Sequence, residues 1–241
     1  MNLIVDVGNT RVKFAVFDNN LLKWKKSFLL SDLKTEFEAV IKQFPKTKRA
    51  IVSSVGRLSK KDIAIIKKDL KLLELDSETE VPFQNNYKTP KTLGVDRIAL
   101  VSGSVLKSPD QNVLIIDAGT CITYDFITDK NVYLGGAISP GLRLRYKSLN
   151  NLTANLPLLE TKVPKRITGN TTESSIHSGV VLGTIYEIDG IVKAYSEKYS
   201  DLTVILTGGD AKMLSKQLKS SIFANSDFLL EGLNYILEFN S

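Results

Sequence analysis

The strongest constraint on this chain is a motif written twice in the same order. Leu3-Ile-Val-Asp6-Val-Gly8-Asn-Thr10 and Leu114-Ile-Ile-Asp117-Ala-Gly119-Thr120 each run a short apolar stretch into an Asp, a small or apolar residue, a Gly and a Thr, with Asn9 extra in the first copy. The match continues past the turn. Val12-Lys-Phe-Ala-Val-Phe-Asp18 and Ile122-Thr-Tyr-Asp-Phe-Ile127 read as second strands. Asn19-Asn20 and Asp129-Lys130-Asn131 then supply turn residues before a third apolar stretch. Each half therefore opens strand, tight turn, strand, turn, strand, and an internal repeat of this kind predicts two copies of one structural unit.

Helical periodicity fills the rest. Leu33, Phe37, Val40, Ile41 and Phe44 fall on one face, with Ser31 as the expected N-cap. Ile63, Ile66 and Leu70 come after Ser59, and a strand-like stretch over 49–53 lies between the two helices. A helix is expected from about Val95 to Leu106, a long one from Ile176 through Tyr195, and a last one over 228–239. A strand over 201–206 runs into Thr207-Gly-Gly-Asp210. The pattern is α/β, and Ser108-Pro109-Asp110 is the most turn-like place to divide it, giving domains 1–110 and 111–241.

Composition removes some function classes. No apolar run approaches the roughly 20 residues that span a bilayer, and the first residues carry Asp6 with no basic stretch, so neither a membrane span nor an export signal is expected. Cys121 is the single cysteine, which rules out an intramolecular disulfide and fits a reducing cytoplasm. The formal charge is +6, with lysine pairs such as Lys25-Lys26, Lys60-Lys61 and Lys67-Lys68. A nucleic-acid surface is one reading of these pairs. Their mixing with acids and the absence of interleaved aromatics favour solvated helix faces.

The chemistry lies in the turns. Glycine in an Asp-x-Gly-x-Thr turn lets an anion approach the main chain. The N–H groups of Gly8, Asn9 and Thr10 can then point at phosphate oxygens, with the Thr10 hydroxyl beside them. Asp6 at the strand end suits a Mg²⁺ held through water, and Mg²⁺ arrives with nucleotide phosphates. Lys13 returns to the side of the second strand that carries Arg11. Two such hairpins facing each other would grip a triphosphate, which is most of what phosphoryl transfer needs. Neither Gly-x-x-x-x-Gly-Lys-Ser/Thr nor Gly-x-Gly-x-x-Gly occurs in the chain.

A proton acceptor is also required. Asp96, in Leu93-Gly-Val-Asp96-Arg97, stands in the first turn of the helix expected from Val95. There it is either a favourable charge at the helix N-terminus or a general base. Arg97 beside it can bind a substrate carboxylate through two hydrogen bonds.

These motifs together resemble those of type III pantothenate kinases. The resemblance rests on Asp6-Val-Gly-Asn-Thr-Arg-Val-Lys13, Gly94-Val-Asp-Arg97, Asp117-Ala-Gly-Thr120 and Gly135-Gly-Ala-Ile-Ser-Pro-Gly141. Gly169-Asn-Thr-Thr-Glu173, Thr207-Gly-Gly-Asp210 and Leu230-Glu-Gly-Leu233 extend it along almost the whole chain in the family's order. The resemblance implies duplicated ribonuclease H-like, actin-like ATPase domains, each a mixed five-stranded sheet flanked by helices. It implies ATP-dependent phosphorylation of pantothenate to 4'-phosphopantothenate, the first step towards coenzyme A, in a cytoplasmic homodimer.

By the same resemblance, Asp6, Val7, Gly8, Asn9, Thr10, Arg11, Val12 and Lys13 would hold the ATP phosphates and Mg²⁺, helped by Thr120. Asp96 would accept the proton. Tyr87, Gly94, Val95, Asp96, Arg97 and Thr172 would contact pantothenate, and Asp117 would bind K⁺ or NH₄⁺. No nucleic-acid or membrane partner is implied. Cys121 stands where the family commonly has Ala, one small residue for another.

Other residues are expected to be structural. His177 reads as a surface or packing residue, Cys121 as a core residue of its strand, and Trp24 as strand packing or an interface contact. The Gly135-Gly136 and Pro140-Gly141 pairs fit either turns or a close approach of backbone to the acceptor or a partner subunit. Two other functions compete with the kinase reading. A sugar or acetate kinase of the same superfamily usually carries larger insertions than 241 residues allow. A non-catalytic regulator, which the basic charge would suit, would be expected to have lost Asp6 or Asp96.

Overall fold

The computed structural model describes residues 1–8, 11–54 and 58–241. In chain order the elements begin with β1 (Asn2–Val7), β2 (Val12–Asp18), β3 (Leu21–Phe28), α1 (Leu33–Gln43), β4 (Arg49–Ser54), α2 (Lys60–Asp69), β5 (Lys71–Glu74), β6 (Gln84–Asn85) and α3 (Val95–Lys107). They continue with β7 (Val113–Ala118), β8 (Cys121–Ile127), β9 (Val132–Pro140), α4 (Leu142–Asn151), α5 (Thr172–His177), α6 (Gly183–Lys198), β10 (Thr203–Thr207), α7 (Ala211–Leu214), β11 (Phe223–Ala224) and α8 (Phe228–Phe239). Two compact units result: Met1–Pro109 with Asn131–Tyr133 and Asp227–Ser241, and Asp110–Lys130 with Leu134–Ser226.

The first unit is built on a sheet ordered β3-β2-β1-β4-β5. Every residue of β1 is buried, as a near-continuous apolar run predicts for a central strand. It pairs antiparallel with β2 and parallel with β4. Leu33, Phe37 and Val40 of α1 supply the helix side of the core. The expected Ser31 cap is not formed. The Ser31 hydroxyl bonds Asp32 instead, because a short 3₁₀ turn over Leu30–Asp32 precedes α1 and makes Asp32 its first flanking residue. The Ser59 cap is formed, reciprocally with Asp62.

In the second unit β11, β10, β7, β8 and β9 lie in that order. With β7 set against β1, β8 against β2 and β10 against β4, this is the order of the first sheet repeated. The β7/β8 pair is antiparallel and β7/β10 parallel, like their counterparts. The fold is thus the duplicated mixed α/β fold expected from the sequence, except that the second sheet has six strands rather than five, because β6 pairs with the start of β9. The expected long helix begins at Thr172 and contains one π-helical stretch, Ser178–Leu182, between α5 and α6.

Two segments depart from a single division at residue 110. Residues 131–133, at the start of β9, pair with β6 within the first unit. The last helix, placed by the 111–241 boundary in the second domain, also belongs to the first unit. The reason is its composition: Phe228, Leu230, Leu233, Ile236 and Leu237 are all buried, so α8 needs cover on several sides. It finds it on α3, at a crossing so tight that a β-carbon on Gly232 would lie 2.0 Å from the Ala99 carbonyl oxygen. Asn2 of β1 adds a buried hydrogen bond to Asn234 at 2.9 Å.

Candidate phosphoryl-transfer site

Asp6 sits at the end of β1, opposite Lys13 on β2 and Ser53 on β4. Its carboxylate is buried, 6% exposed, and lies 3.6 Å from the Lys13 ammonium. Burial raises the Asp6 pKa, Lys13 opposes the rise, and the negative charge of Asp96 adds to it. A buried carboxylate beside a lysine thus marks this end of β1.

The turn after β1 is closed by the Gly8 N–H donating to the Arg11 carbonyl at 3.1 Å. In the second unit the Gly119 N–H donates to the Cys121 carbonyl at 3.0 Å. The two turns close at matching places with one residue fewer in the second, as the extra Asn9 requires. Asn9 and Thr10 themselves lie outside the described residues. Val7 and Val12 are buried, so only their main chains are available to a phosphate. The Arg11 guanidinium is tied to β3, donating to the Ser27 hydroxyl and carbonyl at 2.8 Å each.

Asp96 occupies the first turn of α3 and accepts the Arg97 N–H at 2.9 Å. Gly94, extended at the helix entry, leaves space for that carboxylate, since a β-carbon there would fall 2.4 Å from Asp96 Oδ1. Val95 opens the helix. The helix-terminus reading and the base reading of Asp96 are therefore compatible: a carboxylate oxygen is held by the helix while the group stays near Asp6.

Arg97 is buried, with its guanidinium carbon 5.5 Å from the centre of the Tyr87 ring. Tyr87 in turn stacks on Tyr133 at 6.1 Å, and Phe83 meets Tyr133 edge-on at 5.9 Å. Sequence reasoning missed Tyr133 and Phe83. They reach Arg97 through the pairing of β6 with β9, and a two-residue strand leaves no periodic signal.

In the second unit Asp117 lies next to the end of β7, opposite Thr207. The Asp210 N–H donates to the Ala118 carbonyl at 3.0 Å, folding the Thr207-Gly-Gly-Asp210 loop over the end of that strand. Gly208 adopts φ +95°, and a β-carbon on it would meet Asp117 Oδ1 at 2.3 Å. Thr120 is exposed at the hairpin tip. Cys121 is exposed too, which corrects its expected place in the core: β8 begins with an outward-facing residue. The pair Gly135-Gly136 lies inside β9 rather than in a turn, and Gly136 passes close to the Tyr124 carbonyl of the neighbouring strand.

Thr172 is the first residue of α5, behind a capping box of Thr171 and Ser174. It lines a cavity of about 830 Å³ with Leu149, Leu156 and Ile176 among its walls. Elsewhere in this unit the Tyr146 hydroxyl and His177 Nδ1 are 2.7 Å apart, which makes His177 a packing residue with a fixed partner. Among the described residues no three His, Cys, Asp or Glu side chains gather as a metal site, and no helix is long and apolar enough to cross a membrane.

A sheet order repeated in two units, with an Asp-x-Gly hairpin at the same strand junction of each, defines the actin/hexokinase-like fold class. Comparison with known proteins agrees. An inorganic polyphosphate/ATP-glucomannokinase from Arthrobacter sp. strain KM superposes with a TM-score of 0.50, at 14% identity and covering 100% of both chains. A family model for type III pantothenate kinase matches residues 2–194. The type III pantothenate kinase of Christiangramia forsetii is 55% identical over 100% of this chain and 99% of its own. That of Flavobacterium johnsoniae is 49% identical over 99% and 98%. The chain belongs to the type III pantothenate kinase family.

Proposed function

We propose that the chain transfers the γ-phosphoryl group of ATP to the primary hydroxyl of pantothenate, with Asp96 receiving the hydroxyl proton. The observation that carries this reading is the trio Asp6, Lys13 and Asp96, in which a buried carboxylate at a phosphate-type turn feels the charge of a second carboxylate at a helix start. Mg²⁺ fits this trio, because it keeps most of its waters and needs only one or two carboxylates, and when bound it neutralises charge on the phosphate oxygens. Asp6 would hold it through water. The main chain of residues 7–12 and the Lys13 ammonium would position the phosphates, with Thr120 adding its hydroxyl.

For the acceptor, Arg97 would bind the pantothenate carboxylate, its orientation fixed by Tyr87. Gly94 and Val95 would offer main chain, and Thr172 would contact the same substrate. Asp96 is well placed as the base because its helix-held carboxylate keeps one geometry through the reaction.

Asp117, pressed against Gly208, would bind K⁺ or NH₄⁺. A coupled ADP-release assay tests substrate and cation together. Turnover is expected with pantothenate and not with other small hydroxy acids or sugars. It is expected to fall when Na⁺ replaces K⁺. Equal rates in the two salts would remove the cation role from Asp117.

A homodimer in the cytoplasm completes the reading. Leu134, Ile138, Leu152 and Ile167 of the second unit are exposed, at 47%, 64%, 83% and 66%, and would be the apolar contacts offered to the partner subunit. Sedimentation equilibrium at micromolar concentration is expected to give twice the chain mass, and a single-chain mass would exclude the dimer.

A further inference from the structure

An ion pair remote from the turn residues themselves sits behind the second hairpin. Arg145 of α4 and Glu187 of α6 are joined by a direct hydrogen bond. Glu187 also accepts the Tyr124 hydroxyl at 2.8 Å. Burial pushes the Glu187 carboxyl up, but its hydrogen bonds from Arg145, Tyr124 and Ser139 outweigh burial and hold it below the usual carboxylate range. The pair is thus charged and directional across neutral pH.

Arg145 directs two further hydrogen bonds to the end of β9. Its Nε donates to the Pro140 carbonyl at 2.8 Å and its Nη2 to the Ser139 hydroxyl at 2.9 Å. The next residue, Gly141, donates its N–H to the Thr120 carbonyl at 3.0 Å. It lies so close that a β-carbon there would meet the Gly119 and Thr120 carbonyl oxygens at 2.3 and 2.5 Å. A continuous line of directional contacts therefore runs from Glu187 through Arg145 and Pro140-Gly141 to the hairpin tip.

We infer that Arg145 and Glu187 are positioning residues for the donor phosphate, acting by bracing Pro140-Gly141 against the Gly119–Thr120 turn. The inference rests on the proposed phosphate role of that hairpin. A guanidinium suits the task because its planar fork serves the Pro140 carbonyl, the Ser139 hydroxyl and the Glu187 carboxylate at once, whereas an ammonium cannot match all three directions. The pair acts through the turn, so its effect must appear as a change in how well the turn is held.

The test compares Arg145→Lys and Glu187→Gln with the parent enzyme in the ADP-release assay. Circular dichroism and thermal midpoints confirm that each variant is folded. The expected result is a rise of about fivefold or more in KM for MgATP with KM for pantothenate within twofold of the parent. Unchanged KM for MgATP, or equal rises for both substrates, would overturn the inference. Thr120→Val, measured alongside, separates it from the reading beneath it. A normal KM for MgATP in Thr120→Val removes the phosphate role of the hydroxyl, while a raised one beside normal Arg145→Lys and Glu187→Gln variants removes only the brace. Adding Arg145→Lys to Thr120→Val should raise KM by less than the product of the single effects, because both act on one turn. Full multiplication of the two effects would place Arg145 elsewhere.

Discussion

Asp96→Asn is expected to lower kcat by roughly 10²–10⁴-fold, the usual contribution of a general base, while the protein stays folded and still binds MgATP. Asparagine keeps the shape of the side chain and can still accept the Arg97 N–H, so the start of α3 should survive. What it loses is the capacity to take a proton and the charge that acts on Asp6. Binding of a fluorescent ATP analogue, measured beside turnover, separates the two contributions. Near-normal kcat in the Asn variant would take the base role from Asp96 and leave it only the helix-terminus role.

Asp6→Asn should show opposite effects on activity and stability. Turnover is expected to fall by about a hundredfold or more, since a neutral amide cannot serve the metal–phosphate centre. The free protein, however, should melt a few degrees higher, because Asp6 is costly in the folded chain. Burial raises its pKa from the ordinary 3.8, Lys13 recovers part of the cost, and Asp96 adds to it. The folded state therefore binds this proton more tightly than the unfolded chain. The contribution of Asp6 to stability is fully present below about pH 3.8 and is lost as pH rises through the raised folded-state value. The thermal advantage of the Asn variant should accordingly grow with pH across that window and vanish below it. A variant that melts lower than the parent at neutral pH would show that Lys13 more than offsets burial.

Much of this was legible in the sequence, for physical reasons. The Asp6 and Asp117 turns announced themselves because each joins two strands whose apolar runs are long enough to carry a period, and because the pattern occurs twice. The matched strand orders show that the repeat in sequence is a repeat in topology. Asp96 was legible through its place before an apolar helix, and Ser59 through its capping partner three residues on. What could not be read was whatever depends on contacts between segments distant along the chain. Tyr133 reaches the Arg97 layer only through a two-residue strand. Arg145 lies on α4, a helix with few buried residues and so a faint periodicity. The side to which Cys121 faces turns on where β8 begins, a boundary of one residue that alternation alone does not fix.

The membership of α8 in the first unit sets an order on synthesis. The groove that α8 fills is lined by α3 and the start of β1, which leave the ribosome well before the helix itself. While the second unit's residues are being made, the apolar side of α3 around Ala99 and Gly103 lacks its partner helix. The N-terminal half of this chain can thus be translated first but completed only last. A cut after residue 110 would sever it from the helix that finishes its core.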